Sequence, residues 1–437
     1  MELELTKDKA AERFMRYAAI TTQSKEGCET TPSTPCQRDL ALLLYDELTE
    51  MGASEVYYDS EHCYVYAAVP GNIPADNDAL SKREDAVQKR RTDLAPVIGF
   101  MAHMDTSDAV AGLCVKPRLI EEYDGGVITL NDEENIVSDP DVITELKDMK
   151  GKTLVVCDGT SVLGGDDKAG IAIIMEIFRF YLSHPEYPHG TIRLVFTPDE
   201  EVGNGTLWVD RDRFACDYAY TVDGGSAGGL EYECFNAATC KIDIKGMSTH
   251  PGSAKGKMKN ALLMAMELNA MLPAAEIPAC TEGYEGFYHL TQLDGTCDRA
   301  HAEYIIRDHD RDKFEERKKT ILEAVKFLGT RYGEDAFDVS IRDSYYNMAE
   351  KIRPHMHLIE NAKAAIQKAG LTPVIQPIRG GTDGCRLSFE GLPCPNLGTG
   401  SYCIHGRHEF VCIDELVKCV EIGIRIVNAY AEYELDA

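Results

Sequence analysis

Thr191-Ile192-Arg193-Leu194-Val195-Phe196-Thr197-Pro198-Asp199-Glu200-Glu201-Val202-Gly203 joins a β-rich run to two adjacent glutamates. A short apolar run of that kind reads as a buried strand of an α/β sheet. The two carboxylates then fall at the carboxyl end of a strand, where open α/β sheets bind ligands. Neighbouring side chains there point different ways, so one glutamate can hold a metal while the other handles protons. Taken alone, the pair reads equally well as a solvated acidic turn. Four further segments carrying metal-ligand residue types give it weight.

Working outward, residues 96–102 (Pro96-Val97-Ile98-Gly99-Phe100-Met101-Ala102) read as a central strand, 168–182 as a helix, and 190–196 and 218–222 as strands. Upstream, a helix is expected over 38–50 and strands within 52–69. This alternation predicts an α/β domain with a mostly parallel central sheet. After Gly224-Gly225 the pattern changes. A half-buried strand (238–246), an apolar helix (258–272), a strand (302–308), a charged helix (311–331) and a strand (337–342) follow. These elements suit a small open-sheet, ferredoxin-like α+β domain, whose order is β-α-β-β-α-β. From about residue 350 the first pattern returns, with a helix at 355–369, a strand near 374–378 and a last helix at 413–433. One domain is therefore expected inside another: 1–234 and 348–437 as the catalytic domain, 235–347 as the insertion. The charged stretch 74–93 reads as an exposed loop.

The bulk numbers suit this picture. A length of 437 residues, 44% of them hydrophobic and 27% charged, fits a soluble globular protein of two to three domains. A net charge of −28 disfavours nucleic acid and anionic membranes as partners. The 15 cysteines are scattered and contain no C-x-x-C pair, so reduced thiols in a cytoplasmic protein are expected rather than a disulfide framework. No secretory signal and no apolar run long enough to span a membrane is visible.

Five segments carry the chemistry. His103-Met104-Asp105 follows the central strand, where residues i and i+2 share a face. His103 can bind a metal through one ring nitrogen while Asp105 accepts from the other, which fixes the tautomer. Gly164-Gly165-Asp166-Asp167-Lys168 opens a helix, and carboxylates are favoured at a helix N-terminus. Asp223 ends another strand. His405-Gly406-Arg407-His408-Glu409 lies near the C-terminus, and here His408 competes with His405 as a ligand. His103, Asp166, Glu201, Asp223 and His405 supply two imidazoles and three carboxylates. That set suits a pair of zinc-like ions with one bridging carboxylate, cobalt or manganese being alternatives. Two such ions about 3.5–4 Å apart activate a shared water for hydrolysis.

These motifs resemble the M20 metallopeptidases over nearly the whole chain. The resemblance is carried by segments 102–107, 158–170, 197–203, 220–225, 248–260, 281–290, 303–309, 379–389 and 405–410. Within them, Thr249-His250-Pro251-Gly252, Glu282-Gly283-Tyr284-Glu285-Gly286 and Arg379-Gly380-Gly381-Thr382-Asp383 mark the family's tripeptide-cleaving branch. The resemblance implies a zinc-peptidase-like catalytic domain with an inserted lid. It implies that His103 and Asp223 hold one zinc, Glu201 and His405 the other, that the Asp166 carboxylate bridges them, and that the Asp166–Asp167 peptide is cis. Asp105 would orient His103, and Glu200 would carry the proton from the attacking water to the leaving amine. In the lid, His250 would stabilise the oxyanion, while Arg307 and Arg379, the latter near the catalytic core, would clamp the substrate's terminal carboxylate.

The activity so implied is a cytoplasmic dizinc aminopeptidase that releases the N-terminal residue of tripeptides, with a small peptide as its partner. Lid domains of this kind can also pair edge to edge into homodimers. Two alternatives stand beside it. One is another activity of the same family, a dipeptidase or an N-acyl amino acid amidohydrolase. The other is a catalytically silent peptide-binding relative.

Overall fold

The computed structural model describes residues 5–73, 95–110 and 114–431; the charged stretch 74–93 lies outside them. Among the described residues the chain forms two compact units. One comprises the chain up to Tyr232, Lys351–Ile375 and the chain from Thr382, and the other Glu233–Glu350 with Gln376–Gly381.

The first unit is built on an eight-stranded sheet. Its strands lie in the order Ser54–Asp59, Tyr64–Val69, Ile192–Thr197, Ile98–His103, Tyr218–Gly224, Asn396–Gly398, Gly229–Glu231, Val374–Ile375. The middle four run parallel, and antiparallel pairings lie on both flanks. Every residue of Ile98–His103 is buried, as expected of a central parallel strand covered on both faces. The helix Gly165–Ser183 packs on this strand and on Tyr218–Gly224, and the helix Ile413–Ala431 packs on it in turn. Approach is closest at Gly170, where a Cβ would collide with the Val222 carbonyl oxygen. A separate four-stranded sheet holds Ser401–Tyr402, Phe410–Cys412, Leu154–Val156 and Arg118–Ile120 in that order. Its pairing of Tyr402 with Phe410 closes the loop that carries His405.

The second unit follows the β-α-β-β-α-β order. The strands Asn236–Lys245, Phe287–Gly295, Arg299–Asp308 and Phe337–Tyr345 alternate with the helices Ala261–Met271 and Arg311–Tyr332. The sheet is antiparallel throughout, with Arg299–Asp308 and Asn236–Lys245 at its centre. Alternate residues of those two strands are buried, so one face packs Ile242, Ile244 and Ile306 against Leu268, Phe314 and Leu328 of the helices.

Two expectations need correcting. The segment after residue 348 does not all belong to the first unit, because Gln376–Gly381 returns to the second. Arg379 therefore packs within the second unit. The strand expected over 374–378 is confined to Val374–Ile375. Pro377 has no N–H to continue a ladder, and Ile378 instead pairs with Cys234.

Candidate metal centre

Register brings the site together. In the parallel pair Ile98–His103 and Ile192–Thr197, His103 stands opposite Thr197. The turn after Thr197 and the end of Tyr218–Gly224 therefore open on the same edge as His103. Two groups of metal-ligand atoms lie there: His103, Asp166 and Asp223, and Asp166, Glu201 and His405, with Asp166 common to both. His103 Nε2 lies 2.9 Å from Asp166 Oδ1 and 3.6 Å from Asp223 Oδ1. His405 Nε2 lies 3.0 Å from Asp166 Oδ2 and 2.9 Å from Glu201 Oε2. The two oxygens of Asp166 thus face opposite imidazoles, and the Asp166–Asp167 peptide is cis.

His405, and not His408, reaches this cluster. His408 turns its Nδ1 onto the Ser138 hydroxyl at 3.1 Å. His405 sits at φ +57°, a left-handed conformation that histidine tolerates better than most residues.

Asp223 and Asp166, two of the candidate ligands, are supported separately. Asp223 takes its backbone position from its own N–H, which donates to Asn396 Oδ1 at 3.1 Å. Asp166 follows Gly164, whose φ of +80° suits glycine. The Glu409 carboxylate accepts the backbone N–H groups of Leu163, Gly164 and Asp166 at 2.7, 2.9 and 3.1 Å. Asp167 turns away from the ligand cluster and accepts from the His103 and Gly170 amides.

Asp105 does more than its spacing suggested. The His103 Nδ1 lies 3.1 Å from the Asp105 backbone oxygen and 3.4 Å from its carboxylate. The same carboxylate accepts the backbone N–H of Glu200 at 3.0 Å and of Glu201 at 3.2 Å. One buried acid therefore touches both the imidazole and the turn bearing the glutamate pair.

The electrostatics call for positive charge. Burial pushes the Asp223 carboxyl up to about 8, and Asp166 reinforces this. Burial also drives Glu200 well above the ordinary carboxylate range; His103 opposes the shift, and Asp223, Asp383 and Glu201 add to it. Hydrogen bonds to Asp166 and Glu201 raise His405 to about 11. Burial works against a charged His103, but Asp223, Asp105 and Asp166 outweigh it and hold the imidazole well above its usual range. Asp166, bonded to both histidines, is held well below its ordinary value despite its burial. Protons on the two imidazoles thus balance the carboxylates where cations would otherwise do so. The donor set fits a metal on a second count: Glu201 is half-buried, and its buried Oε1 has no hydrogen-bond partner among the described residues. An orphaned buried carboxylate oxygen is costly unless a cation satisfies it.

The three residues expected to bind substrate lie in the second unit. His250 is exposed, and its Nδ1 accepts the Gly252 N–H at 3.2 Å. Arg307 donates to the carbonyl oxygens of Ala238 and Ile306 at 3.2 and 3.0 Å, and its guanidinium stands 5.6 Å from the Tyr345 ring centre. Arg379 donates to the Gly283 and Glu285 carbonyls and to the Thr281 hydroxyl, and stands over the rings of Phe235 and Phe287. It thereby ties the 281–285 loop to the unit's sheet.

The sequence alone assigns no role to Glu409, Asp199 or Lys168, although the His405–Glu409 spacing favours His405 over His408. Glu409 stands four residues after His405, which is its only visible signal. Lys168 is fully buried and donates to the Ile20 carbonyl at 2.6 Å.

Residues 164–429 match the model of peptidase family M20/M25/M40, a family of metal-dependent peptidases, and the chain belongs to that family in its peptidase T branch. Peptidase T of Halothermothrix orenii is 48% identical over 97% of this chain and 99% of its own length. Among solved structures, aminopeptidase PepT from Bacillus cereus superposes with a TM-score of 0.73 at 23% identity, covering 98% of this chain and 99% of that one. A tripeptidase from Staphylococcus aureus gives 0.75 at 19% identity, covering 98% and 100%. The fold is that of the M20 peptidases, and the chain is a peptidase.

Proposed function

We propose that the protein is a cytoplasmic dizinc aminopeptidase that removes the N-terminal residue from tripeptides. The observation that carries this reading is the division of the ligands into two sets sharing Asp166. His103 and Asp223 would hold one ion and Glu201 and His405 the other. Two zinc ions so placed would supply Lewis acidity and a water of lowered pKa.

The chain's own residues do the rest. Glu200, adjacent to a ligand but free of that duty, accepts the proton of the attacking water and returns it to the departing amine. Asp105 holds His103 from behind while fixing the amides of Glu200 and Glu201. In the second unit, Arg307 and Arg379 suit the terminal carboxylate of a short peptide, and His250 the oxyanion. A clamp on that carboxylate would act as a ruler and limit substrate length. The peptidase T relatives and the tripeptidase named above support a tripeptide over other substrates of the family.

The test is amino acid release from a tripeptide, a dipeptide, a tetrapeptide and an N-acetylated tripeptide, with and without zinc after chelation. Zinc-dependent cleavage of the free tripeptide alone is expected. Cleavage of the acetylated peptide or the dipeptide instead would overturn the aminotripeptidase reading.

A further inference from the structure

Asp199 lies between the end of the strand Ile192–Thr197 and the glutamate pair, and the chemistry proposed above does not use it. It is buried and sits at φ +57°. Its carboxylate is nonetheless fully engaged. The Ser33 backbone N–H donates to Oδ2 at 2.7 Å, the Ser33 hydroxyl to Oδ1 at 2.5 Å, and the Gln37 amide nitrogen to Oδ1 at 2.7 Å. Gln37 also closes the loop in reverse, its Oε1 accepting the Asp199 N–H at 3.3 Å. These partners come from more than 160 residues earlier in the chain.

The same early segment backs the other ligand-bearing turns. The Thr22 carbonyl accepts the Thr106 N–H at 3.2 Å, and the Ser24 N–H donates to the Thr106 carbonyl at 3.0 Å, three residues past His103. The Ile20 carbonyl accepts from Lys168, two residues past Asp166. Residues 20–37 therefore run behind three of the turns that carry the site. At the glutamate turn the contact is made by side chains aimed at one buried carboxylate.

We propose that Asp199, clamped by Gln37 and Ser33, is a positioning residue that fixes the turn aiming Glu200 and Glu201. The amides of Glu200 and Glu201 are held on one side by Asp105, and the residue before them is held on the other by the clamp. Releasing the clamp lets the turn rotate. Glu201 then loses its bearing on its ion and Glu200 its bearing on the water. His103 and Asp223 are supported by other contacts and keep theirs. The effect is thus confined to one of the two metal positions and to proton transfer. This inference rests on the assignment of Glu201 as a ligand and Glu200 as the base.

Gln37→Leu removes both amide contacts, Ser33→Ala removes the hydroxyl, and Ser33→Thr retains it. Each variant is titrated with zinc against a chromophoric chelator and assayed on trialanine at saturating zinc. Loss of a partner behind a ligand commonly costs 10–100-fold in metal affinity or activity. Gln37→Leu is expected to weaken one zinc site about tenfold and leave the other within twofold. Its kcat is expected to fall about tenfold with KM within twofold. Ser33→Ala should shift both quantities in the same direction by less, and Ser33→Thr should restore them. Should Gln37→Leu fail to fold, the Ser33 pair decides by the same criteria. Equal weakening of both zinc sites, or no change in either, would overturn the proposal, since a merely structural role predicts one of these. Glu200→Ala is run alongside. If it still cleaves trialanine, the assignment of the base fails, while the zinc titration continues to decide the clamp.

Discussion

Glu200 and Glu201 are chemically alike and adjacent, and the proposed reading gives them different duties, Glu201 as a ligand beside Asp166 and His405 and Glu200 as the base. Glu201 Oε2 stands 2.9 Å from His405, and its other oxygen is buried without a partner among the described residues. Glu200 makes no such ligand contact, so its loss should leave the metals in place. Glu200→Ala is expected to lower kcat by about 10²–10⁴-fold, the usual range for general acid–base catalysis, with zinc content by mass spectrometry unchanged. Loss of zinc in that variant would make Glu200 a ligand instead. His405 gives the pH prediction. In the metal-free chain its pKa is raised from 6.5 to about 11, so at neutral pH it carries a proton that a metal must displace. Zinc affinity should rise with pH through the neutral range, and calorimetry in buffers of different ionisation enthalpy should register proton release on binding. For the metal-free protein the sign is opposite. The stabilisation from charged His405 is complete below about 6.5 and is lost as pH rises toward about 11. Chelated protein should therefore be more stable at mildly acidic pH on this group's account.

At the scale of elements, the helix Gly165–Ser183 is the part that sets Asp166 against the strands. Gly170→Ala puts a methyl group into the Val222 carbonyl. Overpacking of this kind costs about 1–3 kcal/mol, and here it would also move Asp166 away from Asp223. Denaturant unfolding should show the loss, and zinc titration should show weaker binding. A stability unchanged within 0.5 kcal/mol would mean that the helix relaxes freely, roughly as surface sites do. Glu409→Ala leaves three amide donors at the start of the same helix, two buried and one half-buried, without their acceptor. About 3 kcal/mol is expected from unmade buried hydrogen bonds. These elements were legible in uneven measure. The strands Ile98–His103 and Ile192–Thr197 and the helices Ala261–Met271 and Arg311–Tyr332 announce themselves by apolar runs or periodicity. The return of Gln376–Gly381 to the second unit does not, because it follows from long-range packing around Arg379 and Ile378. Ligand types at strand ends could be picked from sequence because parallel strands deliver their carboxyl ends to one edge. The double duty of Asp105, and the clamp on Asp199 by Ser33 and Gln37, depend on contacts between distant segments that no local pattern encodes.

Across the whole molecule, the two units have separate cores, and the ligand cluster lies wholly in the first. Metal binding should therefore stabilise the first unit alone. At a free zinc concentration 100 times the dissociation constant the gain is about 2.7 kcal/mol per site. Calorimetry of the zinc-loaded and chelated protein should show one transition moving and the transition of the second unit staying in place. Equal movement of both would mean that the units unfold together. The net charge of −28 adds a general attraction for cations that salt screens, so zinc should bind more weakly as ionic strength rises. The most direct test of the account is anomalous X-ray diffraction from crystals of the zinc-loaded protein. It predicts two zinc peaks, about 3.5–4 Å apart, one beside His103 and Asp223, the other beside Glu201 and His405, with Asp166 between them. A single peak, or a pair that Asp166 does not bridge, would contradict it.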